Sequence, residues 1–134
     1  MTLYADSSAL LKRYVDEPDS EAADVLLRSD PVLVTGRHTL VEVRRNLARL
    51  LEDRDLRSAR AAFAADVEVL AFVELDSETC EAAATIAEMI GVRTLDALHL
   101  GAAQRLGASA ITFLTFDVRQ AQAARSLGMT VVGA

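Results

Sequence analysis

Short apolar segments alternate with longer helical segments along the whole chain, and this alternation limits the folds open to it. Strands separated by helices form βαβ units with right-handed crossovers, which build a parallel sheet with helices on both faces. We therefore predict an α/β fold of about five strands. The predicted strands are residues 2–6, 31–35, 71–75, 111–115 and 129–132. The predicted helices are residues 8–15, 19–27 with Asp19 as cap, 39–52, 56–67, 77–90, 95–106 and 118–127.

Bulk properties indicate one globular domain over residues 1–134. No apolar run approaches the roughly 20 residues that a membrane-spanning helix needs, so no membrane role is expected. The first predicted strand follows Met1 directly, which leaves no room for a signal peptide. A single cysteine, Cys80, cannot form an internal disulfide. We therefore expect a cytoplasmic protein.

Three acidic residues that are far apart in the sequence lie where a predicted strand or loop meets a helix. Asp6 closes the first strand, Asp117 follows the fourth, and Asp96 lies in the first turn of a helix. Ligands of open α/β sheets bind outside the carboxyl ends of the strands, so these carboxylates are expected to converge at one edge. A cluster of this kind indicates a metal-ion nuclease.

Each of these acids also has a purely structural explanation. Asp6 and Asp117 can cap the helices that follow them, although Ser7 and Ser8 offer other caps for the first helix. Asp96 is favoured in a first helical turn by the helix dipole. Its helix consists mostly of small and apolar residues and should be buried, so an acid at its start is more suggestive of a site.

Glu42 is less clear from the pattern. It falls on the polar side of its helix together with Arg45, and an i,i+3 pair with Arg45 would explain a surface glutamate. His99, three residues after Asp96, is expected to be a buried or supporting histidine rather than a metal ligand.

The basic residues are almost all arginines. The net charge of −6 argues against a non-specific nucleic-acid binder, but thirteen arginines and one lysine favour phosphate recognition. Six of the arginines crowd one helical region, which is either an RNA-binding surface or a solvated face paired with Glu42, Glu52, Asp53 and Asp55. These six are Arg44, Arg45, Arg49, Arg54, Arg57 and Arg60.

Four segments resemble the signature segments of PIN-domain ribonucleases, and the chain most resembles the small VapC-type toxins of that family. The segments are residues 4–12 (YADSSALLK), 40–43 (LVEV), 94–100 (TLDALHL) and 114–117 (LTFD). The resemblance implies a PIN-like three-layer fold in which an acidic quartet is catalytic and binds Mg²⁺, with Mn²⁺ as an alternative. The acidic quartet consists of Asp6, Glu42, Asp96 and Asp117. The resemblance also implies homodimerisation and inhibition by a small antitoxin protein.

Two positions depart from the family pattern. Ser7 stands where many relatives have Thr, and it keeps the hydroxyl. Thr115 stands near the fourth strand, where some relatives carry an extra acid; it can hydrogen-bond a metal-bound water, but one versus two metal ions stays open. We expect Ser7 and Thr115 to support the site, with Asp6 and Asp96 as direct ligands.

The predicted function is that of a Mg²⁺-dependent endoribonuclease toxin that cleaves RNA phosphodiester bonds. We expect the helices of residues 39–67 and the N-terminal helix to form a groove for the antitoxin. One alternative is a receiver-like phosphoacceptor, which would need a Lys after the last strand, whereas the only lysine is Lys12. A second alternative is a non-catalytic α/β module for protein binding, against which retention of all four acids argues.

Overall fold

Five parallel strands form one sheet in the computed structural model, which describes residues 1–134. The strands are β1 (Thr2–Ala5), β2 (Leu33–Gly36), β3 (Ala71–Val73), β4 (Ile111–Thr115) and β5 (Thr130–Gly133). Their order across the sheet is β3-β2-β1-β4-β5, and every neighbouring pair is parallel. This confirms the predicted sheet. The order differs from the 2-1-3-4-5 order of receiver domains, so the phosphoacceptor alternative is wrong.

Seven helices connect the strands. They are α1 (Ser7–Leu11), α2 (Ser20–Leu27), α3 (Thr39–Leu50), α4 (Asp53–Val67), α5 (Ser77–Ile90), α6 (Thr94–Arg105) and α7 (Val118–Ser126). A short 3-10 turn, Ala108–Ala110, precedes β4. No helix combines the length and apolar character that crossing a bilayer requires.

The central strands send alternate side chains into two separate cores, as the two-residue period of a strand requires. Leu3 of β1 and Leu114 of β4 pack with residues of α1 to α4, such as Val43. Tyr4 and Phe113, their neighbours in the sequence, pack with residues of α5, α6 and α7 on the opposite face. The two cores confirm a three-layer fold with helices on both faces of the sheet.

Some predicted boundaries were wrong by a few residues, and one of them has a local side-chain cause. The first helix ends at Leu11 rather than residue 15, and residues 12–15 continue as turns. The second strand begins at Leu33 rather than residue 31, because the Asp30 side chain accepts a hydrogen bond from the Val32 amide and forms a turn. Asp53, expected in a linker, begins α4.

Asp19 occupies the predicted cap position of α2, but its side chain caps nothing. Its carboxylate instead lies 2.7 Å from the Lys12 ammonium, which also contacts Glu17 at 3.0 Å. The N-terminal turn of α2 is therefore tied to the end of α1 by an ion-pair cluster.

Candidate active site

Asp6 lies at the carboxyl end of β1, the central strand, and is only 4 % exposed. Its Oδ1 accepts hydrogen bonds from the Ala9 amide at 3.0 Å and the Ser8 hydroxyl at 2.7 Å, so Asp6 is the N-cap of α1. Burial raises the pKa of Asp6, while His99, Thr115 and these two hydrogen-bond donors oppose that effect. The site therefore holds this carboxylate in a fixed position but disfavours its charge when no cation is near.

Glu42 is not the surface glutamate that the helical pattern favoured. Its side chain is only 17 % exposed and accepts a contact from His99 Nε2 at 2.8 Å, and it forms no pair with Arg45. Burial alone would raise the pKa of Glu42, but the hydrogen bond and charge of His99, assisted by His38 and Ser7, hold it below the usual value. Glu42 is therefore ionised at neutral pH.

Asp117 follows β4 and caps α7, as its Oδ1 accepts from the amides of Arg119 at 2.8 Å and Gln120 at 3.2 Å. Gln120 Nε2 in turn donates to the main-chain oxygen of Asp96 at 3.0 Å, which fixes the start of α6 against α7. The Asp96 carboxylate contacts only the Arg93 guanidinium, at 3.3 Å.

Two clefts join at Asp96. The larger, of about 470 Å³, is lined by Asp96 and Asp117 together with Arg93 and Arg119. The other, of about 280 Å³, is lined by Asp96, Arg93 and Glu42. Asp96 thus shares one cleft with Asp117 and the other with Glu42.

Asp6 is connected to these residues through Thr115. The buried Thr115 hydroxyl accepts from the Asp117 amide at 3.1 Å and also stabilises the charged form of Asp6. Asp6, Thr115 and Asp117 therefore lie at the carboxyl ends of β1 and β4, and Asp96 and Glu42 line the clefts. Ser7, the first residue of α1, hydrogen-bonds Glu42.

Sequence reasoning missed two residues beside the quartet. The sequence pattern does not mark Tyr4 as a site residue, but its hydroxyl lies 2.9 Å from His99 Nδ1. His38 was not considered; it is 7 % exposed, its ring packs against that of His99 at 4.0 Å, and neither ring nitrogen has a hydrogen-bond partner. Its position one helical turn before Glu42 was the available signal.

The surface arginines are not paired as one interpretation proposed. None of the six arginines between residues 44 and 60 lies within ion-pair distance of an acidic residue. Arg49 contacts only the Asn46 side chain, at 3.2 Å. Their positive charge is therefore free to meet an anionic partner.

The donor atoms at the sheet edge suit a hard divalent cation. Mg²⁺ takes oxygen ligands and keeps several waters, and the acidic quartet offers carboxylate oxygens beside hydroxyl groups. Among the four acids, only Asp96 pairs with an arginine, Arg93, and only Glu42 contacts histidines. The residues present therefore fit Mg²⁺ or Mn²⁺.

Comparison with known proteins places the chain among related sequences and folds. The model of the family described as PIN domain matches residues 3–126. Ribonuclease VapC46 of Mycobacterium tuberculosis is 36% identical over 130 residues, which cover 97% of this chain and 95% of the relative.

Two solved structures share the fold. VapC20 of Mycobacterium tuberculosis, a toxin that cleaves the sarcin-ricin loop, has a TM-score of 0.75 at 19% identity. The alignment covers 99% of this chain and 98% of the VapC20 chain. A toxin-antitoxin complex from Klebsiella pneumoniae has a TM-score of 0.69 at 12% identity, covering 90% and 89%. Both likenesses extend over nearly the full length of the chain.

Proposed function

The chain belongs to the PIN domain family, and from this premise we propose that it is a metal-dependent endoribonuclease that acts as the toxin of a toxin–antitoxin pair. The observation that supports the proposal is the position of Asp6 and Asp117 at the carboxyl ends of β1 and β4, beside the two clefts that Asp96 lines together with Asp117 and with Glu42. The ribonuclease identity of the 36% identical relative VapC46 supports it. Cytoplasmic RNA is the proposed substrate.

Asp6 and Asp96 would hold a Mg²⁺ ion directly, and Glu42 and Asp117 would orient its waters. When bound, Mg²⁺ supplies an activated water nucleophile and neutralises charge that develops on the phosphate and the leaving oxygen. Mn²⁺ is an alternative because it accepts the same oxygen ligands. Thr115 replaces an acid at the fourth strand, so a single ion is the simpler assignment.

The chain's own residues position these ligands. Asp6 and Asp117 are each fixed by cap hydrogen bonds from the helix that follows, so their free oxygens keep a constant direction. His99 holds Glu42 ionised, and the Thr115 hydroxyl favours the charge on Asp6. This preorganisation reduces the reorganisation that binding and catalysis would otherwise require.

Arg93 and Arg119 line the cleft beside Asp96 and Asp117, where they would bind the RNA backbone. Guanidinium groups make bidentate contacts with phosphate oxygens. These residues would compensate for the overall charge of −6, which by itself repels RNA.

A groove between α3 and α4 is the proposed antitoxin site. It has a volume of about 340 Å³, and Leu40, Phe63 and Val67 form its apolar lining beside Arg44 and Arg60. The fold likeness to the Klebsiella pneumoniae toxin-antitoxin complex supports a partner of this kind. An apolar antitoxin helix with acidic flanks matches the groove chemically, and the toxin itself is proposed to be a homodimer.

The test of the activity is induced expression in bacteria beside an Asp96→Asn control, with sequencing of RNA 5′ ends. The wild type is expected to arrest growth and create new 5′ ends, and purified protein is expected to cleave the same RNA with Mg²⁺ but not with EDTA. Cleavage by Asp96→Asn at the wild-type level would refute the site assignment. Sedimentation of the protein with and without the antitoxin tests the proposed homodimer and the proposed partner. A monomer whose sedimentation does not change when the antitoxin is added would contradict both.

A further inference from the structure

Two buried histidines converge on Glu42 and form with it a second cluster, which shares only Glu42 with the all-oxygen quartet. His99 Nε2 lies 2.8 Å and His38 Nε2 lies 3.7 Å from Glu42 Oε1, and one ligand atom from each residue lies within 4.8 Å of the others. We propose that His38, Glu42 and His99 form a binding site for Zn²⁺ or a similar first-row transition-metal ion, and that its occupation withdraws Glu42 from the quartet and inhibits cleavage. The inhibition rests on the proposed nuclease function, whereas the binding does not.

His38 is the residue that a purely structural role leaves unexplained. It is 7 % exposed, yet neither Nδ1 nor Nε2 has a hydrogen-bond partner of normal geometry. Buried polar atoms are rarely left unpaired, because each loses its bonds to water without replacement. Neutral imidazole is the form that binds a metal.

The distances require only small movements. A tetrahedral zinc site with bonds of about 2.0–2.1 Å separates its donor atoms by about 3.3 Å. The contact between His38 and Glu42, at 3.7 Å, is already close to this value, and the contact between His99 and Glu42, at 2.8 Å, would open slightly. Glu42 also lines the 280 Å³ cleft, which gives a metal ion a path from solvent and leaves room for water as a fourth ligand.

Tyr4 supports the second histidine. Its hydroxyl lies 2.9 Å from His99 Nδ1 and can either donate or accept a hydrogen bond. A metal ion at Nε2 would displace the proton through which Nε2 contacts Glu42, and His99 would then carry its proton on Nδ1 and donate it to the Tyr4 hydroxyl. A hydrogen-bonded second nitrogen is the usual arrangement for a metal-binding histidine.

Gly36 keeps His38 in place by having no side chain. A Cβ at Gly36 would lie 2.5 Å from His38 Cε1, 2.7 Å from its Nδ1 and 3.0 Å from the Tyr4 hydroxyl. The ring of His38 is therefore packed directly on the end of β2 and points toward Glu42 and His99.

The two sites would select different ions. Imidazole ligands favour zinc, copper, nickel and iron, whereas Mg²⁺ prefers oxygen and rarely binds nitrogen in proteins. Glu42 belongs to both donor sets, so the histidine cluster and a quartet with four free carboxylates exclude each other. Zinc bound at the cluster would therefore weaken the function of the quartet without displacing Asp6, Asp96 or Asp117.

Zinc binding is measured first, on the full chain freed of transition metals, at neutral pH and in millimolar Mg²⁺, by competition with a chromophoric chelator. The wild type is expected to bind one Zn²⁺ per chain. His38→Gln is expected to weaken binding by at least about 100-fold, and Tyr4→Phe by about 10–100-fold. Equal affinity of wild type and His38→Gln would overturn the proposal.

A matched pair guards against a folding defect in the first variant. His38→Cys and His38→Ser differ by one atom, but only the thiolate is a good zinc ligand. The Cys variant is expected to bind Zn²⁺ more tightly than the Ser variant and, with Co²⁺ as probe, to show a thiolate charge-transfer band. Equal binding by the two would count against the site.

RNA cleavage in Mg²⁺ then tests the inhibition. Zinc at saturating concentration is expected to inhibit the wild type and to spare His38→Gln. Equal inhibition of both proteins refutes the regulatory part of the proposal. If neither protein cleaves RNA, the nuclease proposal fails, while the difference in zinc affinity still supports the binding site.

Discussion

Replacing Asp6 by Asn should separate the stability of the fold from its proposed activity. Asn is as good an N-cap as Asp, so it can keep the bonds from the Ala9 amide and the Ser8 hydroxyl. It removes a buried negative charge that lies near the other acids of the quartet. We therefore expect the metal-free Asp6→Asn variant to be more stable than the wild type at neutral pH and to be inactive.

Comparison with Asp6→Ala gives the contribution of the N-cap to stability. The Asp6→Ala variant removes the same charge but also the cap, which costs about 1 kcal/mol relative to Asn. A chain of 134 residues has an unfolding entropy of about 0.28 kcal/mol/K near 60 °C, so this cost lowers the melting temperature by about 4 °C. The two variants should therefore differ by about that amount in calorimetry without metal.

Metal and pH provide two further readouts. Mg²⁺ at 100 times its Kd should stabilise the wild type by about 2.7 kcal/mol and the variants far less. Because burial raises the pKa of Asp6, the native state holds its proton more tightly than the unfolded state. The destabilisation of the folded state by ionised Asp6 is complete above its native pKa and disappears as pH falls toward its pKa in the unfolded state. The extra stability of the Asp6→Asn variant should therefore shrink on acidification. Equal stability of Asn and wild type at neutral pH, with equal Mg²⁺ stabilisation, would refute the reasoning.

Three further predictions concern other parts of the molecule. Gly101→Ala should destabilise by about 1–3 kcal/mol in chemical denaturation, although Ala favours helices, because the new Cβ would lie 2.8 Å from the Ala83 amide nitrogen on α5. His38 has a native pKa of about 4 against 6.5 when unfolded, so the wild type should lose stability as pH falls from 6.5 to 4, and His38→Gln should reduce that slope in urea titrations. Arg119→Ala should raise KM for RNA by about tenfold and flatten its salt dependence, with kcat nearly unchanged, whereas a pure loss of kcat would place Arg119 elsewhere in the mechanism.

The alternation of strands and helices was enough to predict the sheet, because each βαβ unit is encoded locally. The predicted cap of α2 failed because its side chain has a partner outside its own segment: the Asp19 carboxylate contacts Lys12 rather than its own helix. Residue patterns within one helix cannot reveal such partners.

The site shows the same division. Asp6, Asp96 and Asp117 could be placed from the sequence because they adjoin the ends of strands and helices. Glu42 could not, since its burial depends on His99, which is 57 residues away. His38 was missed for a similar reason. It packs against Gly36 and the ring of His99, and the pattern of residues along one helix does not reveal contacts with other elements.

The double use of Asp6 and Asp117 as helix caps has an evolutionary consequence. A single base change converts an Asp codon into an Asn codon, and Asn can begin either helix as well as Asp does. Under the proposed function, such a mutant would be an intact but inactive protein that still binds the proposed antitoxin. In a cell that also holds an active copy, the mutant would then reduce the amount of antitoxin left to inhibit the active protein.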